Sequence, residues 1–126
     1  MERVFEFDFD PRYRWLAFLY GATAKRSEVR VTDDLLRARF GFVRFETPLA
    51  NVKTVEKTGP YRWWKAIGVR TSLADKGLTF GSTAAGGVCM TFASPVPSKP
   101  RFGRLKHPGL TLTVKDRDAF IEAVSP

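Results

Sequence analysis

The chain has 126 residues, 44% of them apolar and 13% aromatic, which is enough material for one packed core and argues against a disordered chain. Twenty-one Lys and Arg against thirteen Asp and Glu leave a formal charge of +8. That balance favours anionic partners (nucleic acid, an anionic bilayer, phosphorylated ligands), although it also simply serves solubility. Cys89 is the only cysteine, so an internal disulfide and a thiolate metal cluster within one chain are excluded.

Residues 1–6 alternate charged and apolar side chains and lack the continuous apolar run of a signal peptide. The longest apolar stretch, Trp15 to Tyr20, is six residues, far below the roughly 20 that span a bilayer. A cytoplasmic address is expected, with peripheral attachment to a membrane left open.

Phe5, Phe7 and Phe9 form a period-2 row between Glu6, Asp8 and Asp10, which reads as a half-buried strand ended by Asp10-Pro11. Trp15, Leu16, Leu19 and Tyr20 then recur at helical spacing before Gly21, predicting a short N-terminal helix over 12–20. Residues 27–32, 36–40 and 43–47 alternate again, with Asp33-Asp34 and Gly41 as turns. Connections this short require an antiparallel meander. A further strand is expected through Val55, a break at Thr58-Gly59-Pro60, and a loose glycine-bearing region over 69–87 with a short strand around Phe80. Val88, Met90 and Phe92 share a strand face; Pro95, Pro97 and Pro100 mark a basic loop. Leu110 to Val114 is the cleanest alternation, and Asp116 caps a final helix carrying Ala119, Phe120, Ala123 and Val124.

The stretch Val29-Arg30-Val31-Thr32-Asp33-Asp34-Leu35, the Gly41 turn and Thr47-Pro48-Leu49-Ala50-Asn51-Val52 resemble the bacterial pleckstrin-homology-like (PH-like) family, as does the close from Leu110 through Asp116 to Ile121. The resemblance covers about residues 27–124 of a single domain spanning 1–126. It implies a mainly β fold with some α: a bent, seven-stranded antiparallel sheet, a split barrel, capped by the C-terminal helix. The short N-terminal helix and the basic loop are additions to that pattern. For function it implies a non-catalytic binding module that contacts a protein or an anionic membrane surface. Phosphoinositide-binding members of the wider superfamily carry a Lys-x(n)-Lys/Arg-x-Arg pattern, which Lys25, Arg37 and Arg39 match in letters. Arg37 and Arg39 share one strand face, where two guanidinium groups could grip phosphate.

No complete active site is legible. His107 is the only histidine; a general base needs a nucleophile or an orienting acid within reach, and in a basic loop it reads as a solvated turn residue. Cys89 reads as a buried, inert thiol. Gly86-Gly87 lacks the spacing of a phosphate loop, and Asp33-Asp34 is turn chemistry. Neither enzyme activity, a cofactor nor a metal is expected. Two segments are candidate contacts. Arg62, Trp63, Trp64 and Lys65 set two indoles between cations, and on a strand those indoles point to opposite faces. Lys99, Arg101, Phe102, Arg104 and Lys106 interleave four cations with one aromatic, which suits phosphate contact and stacking. Both segments also admit a nucleic-acid-binding module, and a barrel interior would admit a small-ligand or lipid carrier.

Overall fold

In a computed structural model of the protein, residues 2–62, 67–71, 77–99 and 106–125 are described. The meander predicted from alternation is there: β1 (Arg3–Glu6), β2 (Ser27–Val31), β3 (Leu35–Phe40) and β4 (Val43–Pro48) form a four-stranded antiparallel sheet in chain order. Val29, Val31, Leu36, Ala38, Phe40 and Phe45 point inward and are buried, whereas Arg30, Arg37, Arg39, Arg44 and Glu46 point out. The period-2 rule thus separates a core face from a charged face.

The remaining strands are β5 (Val52–Thr58), β6 (Gly68–Thr71), β7 (Leu78–Gly81), β8 (Gly87–Val96) and β9 (His107–Leu112). They form a second sheet in the order β5-β8-β9-β7-β6. Here the chain departs from the expected single bent sheet. Among the described residues, nine strands form two sheets with no closed barrel, and β7 runs parallel to β9. β8 extends through Pro95, which the sequence places in a loop. Proline is tolerated there because the β8–β9 register shifts between Thr91 and Val96, where no ladder donor is required. His107 is fully buried in β9 opposite Val96 rather than solvated in a turn. Cys89 is half-buried, on the opposite face of β8 from buried Val88 and Met90.

The sheets share one core. The ring of Phe40 stacks on Phe80 of the second sheet (centroids 5.6 Å apart, planes at 8°) and lies parallel to Phe9 at 6.2 Å, with Phe7 tilted against it at 5.1 Å. Phe45 stacks on Phe92 at 5.4 Å. A buried polar joint complements this stack. The Ser82 hydroxyl and the Thr113 hydroxyl lie 2.9 Å apart; Ser82 donates to the Asp8 carbonyl at 2.7 Å and Thr113 to the Phe80 carbonyl at 3.1 Å. The segment after β1 is thereby tied to the second sheet, with Phe7 bridging Val114. The final helix, α2 (Arg117–Val124), forms as predicted: the Asp116 carboxylate accepts from the Ala119 N–H at 3.1 Å. Phe120 meets Phe5 edge-on at 5.2 Å, and Val124 is buried beside it.

The N-terminal helix also forms, as a 3-10 turn (Pro11–Tyr13) running into α1 (Arg14–Leu19), and Gly21 at φ +71° ends it. Its orientation was not evident from spacing. Ala17 is the buried residue of α1, while Trp15, Phe18 and Leu19 are 62%, 68% and 70% exposed. Helical spacing places Trp15 and Leu19 on one face, but it does not say whether that face turns inward.

Candidate functional site

The outer face of the four-stranded sheet carries Arg30, Arg37, Arg39 and Arg44, with Lys99 at its edge. Two-residue closure at Gly41-Phe42 fixes the register: Phe40 pairs with Val43, Arg39 with Arg44, and Arg37 with Glu46. On the other side of β3, Arg37 faces Arg30 and Arg39 faces Glu28. Lys99 adds to the free side of β4 as an isolated bridge to Arg44, with both backbone hydrogen bonds at 2.7 Å. Arg37, Arg39, Arg44 and Lys99 line one shallow depression of about 330 Å³ together with Glu28 and Glu46.

Charge divides this face into two halves. Away from the Gly41 turn, cations are matched: Arg37 to Glu46 at 3.0 Å, and Arg30 to Glu28 at 3.0 Å and Glu2 at 3.2 Å. The hydrogen bond that Arg30 donates to Glu28, followed by the charges of Glu28 and Glu2, holds the Arg30 guanidinium above its ordinary pKa. Nearer the turn, Arg39, Arg44 and Lys99 form no ion pair with the described residues. Cα atoms of directly opposed antiparallel residues lie only about 4.5–5.5 Å apart, and like charges so placed repel. Two guanidinium groups and an ammonium in one rank can chelate phosphate or carboxylate oxygens, the guanidiniums bidentately.

The other residues singled out from the sequence are distributed as follows. Arg37 and Arg39 share a face as expected, but Arg37 is neutralised by Glu46. Lys25 is exposed in a 3-10 turn (Ala24–Arg26) ahead of β2. Arg62 and Lys106 are exposed. Trp63, Trp64, Lys65, Arg101, Phe102 and Arg104 lie outside the described residues. Arg44 was missed, although the sequence held the signal: once Gly41-Phe42 is the turn, residues 39 and 44 must face each other. The pairing of Lys99 with Arg44 had no such signal, since 55 residues of chain separate the two.

Among the described residues no group of three or more His, Cys, Asp and Glu is placed to hold a metal. No helix among them is long and apolar enough to cross a membrane. The space between the sheets, which a small-ligand carrier would use, is occupied by Phe40, Phe45, Phe80, Met90 and Phe92. No family model matches the chain, and no curated protein or solved structure matches it either.

Proposed function

We propose that the chain is a non-catalytic binding module of PH-like type that docks on an anionic partner through the outer face of its four-stranded sheet. The single observation that carries this reading is the contrast within one face. Arg30 and Arg37 are matched to acids, whereas Arg39, Arg44 and Lys99 stand together without one among the described residues. A surface that was basic only for solubility would have no reason to juxtapose like charges, because mixed signs solvate as well and pair better. The meander β2–β4 and the helix capped by Asp116 support the PH-like part of the reading.

Retention on immobilised heparin tests it. Wild type is expected to elute only at raised salt, because screening weakens contacts between exposed charges. The variant R39Q/R44Q/K99Q is expected to elute at markedly lower salt with a thermal melt that is not lowered, since it removes the Arg39–Arg44 repulsion. Equal retention of the two proteins would remove the sheet face as the contact.

A further inference from the structure

A second surface, next to the cationic rank, has the opposite chemistry. Trp15, Phe18 and Leu19 of α1 and Phe42 at the β3–β4 turn are each more than 60% exposed, and the turn sits beside the residues that end α1, Tyr20 and Gly21. Large apolar side chains scattered singly need no explanation, but four gathered in one place do. They are also held on a fixed platform. The Phe42 N–H donates to the Tyr20 carbonyl at 3.3 Å and the Gly41 N–H to the Arg26 carbonyl at 3.1 Å, which locks the hairpin tip to the chain leaving α1. Gly41, at φ +63°, permits that approach: a Cβ there would come within 2.6 Å of the Ala22 nitrogen. Gly21 lets the Phe42 ring lie against it, since a Cβ would sit 2.5 Å from the ring edge. Beside these residues, Trp15, Phe18 and Phe9 line a groove of about 440 Å³ with Arg14 at its rim.

The collar around these side chains is rich in cations. In residues 11–27 and 35–45, Arg12 is paired to Asp10 and Arg37 to Glu46, each at 3.0 Å, whereas Arg14, Lys25, Arg26, Arg39 and Arg44 have no ion pair among the described residues. Arg44 is two residues from Phe42 along β4 and Arg39 three along β3, so the cations that lack an ion pair among the described residues begin where these apolar side chains stop. An apolar tip of aromatic and leucine side chains ringed by Lys and Arg is the composition that settles at a lipid–water interface. The rings enter the headgroup–acyl boundary while long cationic side chains reach anionic headgroups. A second copy of the chain is a poorer occupant. A two-fold contact would set this end against itself and bring the same cations face to face.

We infer that this end, Trp15, Phe18, Leu19 and Phe42, enters the interface of an anionic lipid bilayer. The inference rests on the proposed anion-binding face and names the bilayer as its anionic surface. The lipid supplies both what the cations lack and what the rings exclude from water.

Flotation of the full chain with vesicles tests this, using phosphatidylcholine alone and an equimolar mixture of phosphatidylcholine and phosphatidylserine. Wild type is expected to float with the mixed vesicles and to stay behind with the neutral ones. W15S/F18S/F42S should lose partition by about tenfold or more, the scale expected for withdrawing several exposed aromatic side chains from the bilayer, while its heparin retention and thermal melt are unchanged. Val4→Ser, which removes an exposed apolar side chain elsewhere on the sheet, should partition as wild type. Full partition by W15S/F18S/F42S would overturn the inference. So would wild type that is held by heparin yet ignores mixed vesicles, an outcome that leaves the anion-binding face standing. Concentration-dependent self-association abolished by the same substitutions, with no flotation, would assign this end to a second copy instead. Flotation that needs the rings but survives R39Q/R44Q/K99Q would keep the insertion and overturn the sheet-face reading.

Discussion

Arg39 on β3 and Arg44 on β4 stand directly opposite each other on an exposed sheet face, two pairs along the ladder from Arg37 and Glu46, which form an ion pair at 3.0 Å. The two positions are related by the same ladder, so the second shows what the first could have been. A like-charged pair at directly opposed positions costs about 0.2–1 kcal/mol relative to neutral residues, and an exposed ion pair returns a similar amount. Arg44→Glu is therefore expected to stabilise the fold by about 0.5–1 kcal/mol in urea denaturation while weakening heparin retention. A stability gain with unchanged retention would mean that the repulsion serves no binding.

Two phenylalanines two residues apart should behave in opposite ways. Phe40 is fully buried at the centre of the aromatic stack joining the sheets, whereas Phe42 is 66% exposed. Phe40→Ala should cost about 3–5 kcal/mol, the range for emptying a buried aromatic site. Phe42→Ala should cost under about 1 kcal/mol, as surface substitutions usually do. Chemical denaturation of both variants checks the pair.

The polar joint between the sheets gives a third expectation. Thr113 accepts from the Ser82 backbone N–H at 2.9 Å while its hydroxyl satisfies the Phe80 carbonyl, all of it buried. Thr113→Val keeps the shape and removes the hydroxyl, leaving the Ser82 backbone N–H without that acceptor. The cost is expected at about 1–3 kcal/mol, measured by thermal or urea unfolding. A cost near zero would show that other groups take over those bonds.

Alkaline pH should find Tyr61. Burial raises the pKa of its half-buried phenol above the ordinary tyrosine value, and the hydrogen bond with Thr58 only partly opposes that shift. The fold thus favours the neutral phenol. Its contribution is complete below the unfolded-state value, near 10, and is lost as pH rises from there through the folded-state value. Wild type should accordingly lose stability more steeply above about pH 10 than Tyr61→Phe does. Parallel alkaline slopes for the two proteins would contradict this.

Much of the first sheet could be read from the chain, because alternation there coincides with one buried and one solvated face. Val29, Val31, Ala38 and Phe45 turn inward as their spacing requires, and Asp116 caps the last helix as its position predicts. The second sheet was harder. β7 pairs in parallel with β9, Leu78 beside Leu110, and nothing local encodes a contact across 32 residues. The basic, proline-bearing neighbours of His107 predict a loop residue, yet His107 is buried in β9. For the site, Arg37 and Arg39 were legible as one strand face; the ion pair that neutralises Arg37 was not. The exposure of Trp15 and Leu19 was hidden for a different reason. A helical period fixes which residues share a side, and only packing around Ala17 decides which side faces the core.

The most direct test of the central claim compares two variants that lose the same charge in different places. R39Q/R44Q/K99Q removes the rank on the sheet face; R101Q/R104Q/K106Q removes three cations of the basic loop. Net charge falls equally in both, so a general electrostatic effect lowers the heparin elution salt equally. The sheet-face variant is expected to elute far earlier than wild type and the loop variant close to it. Equal losses, or a larger loss from the loop variant, would contradict it.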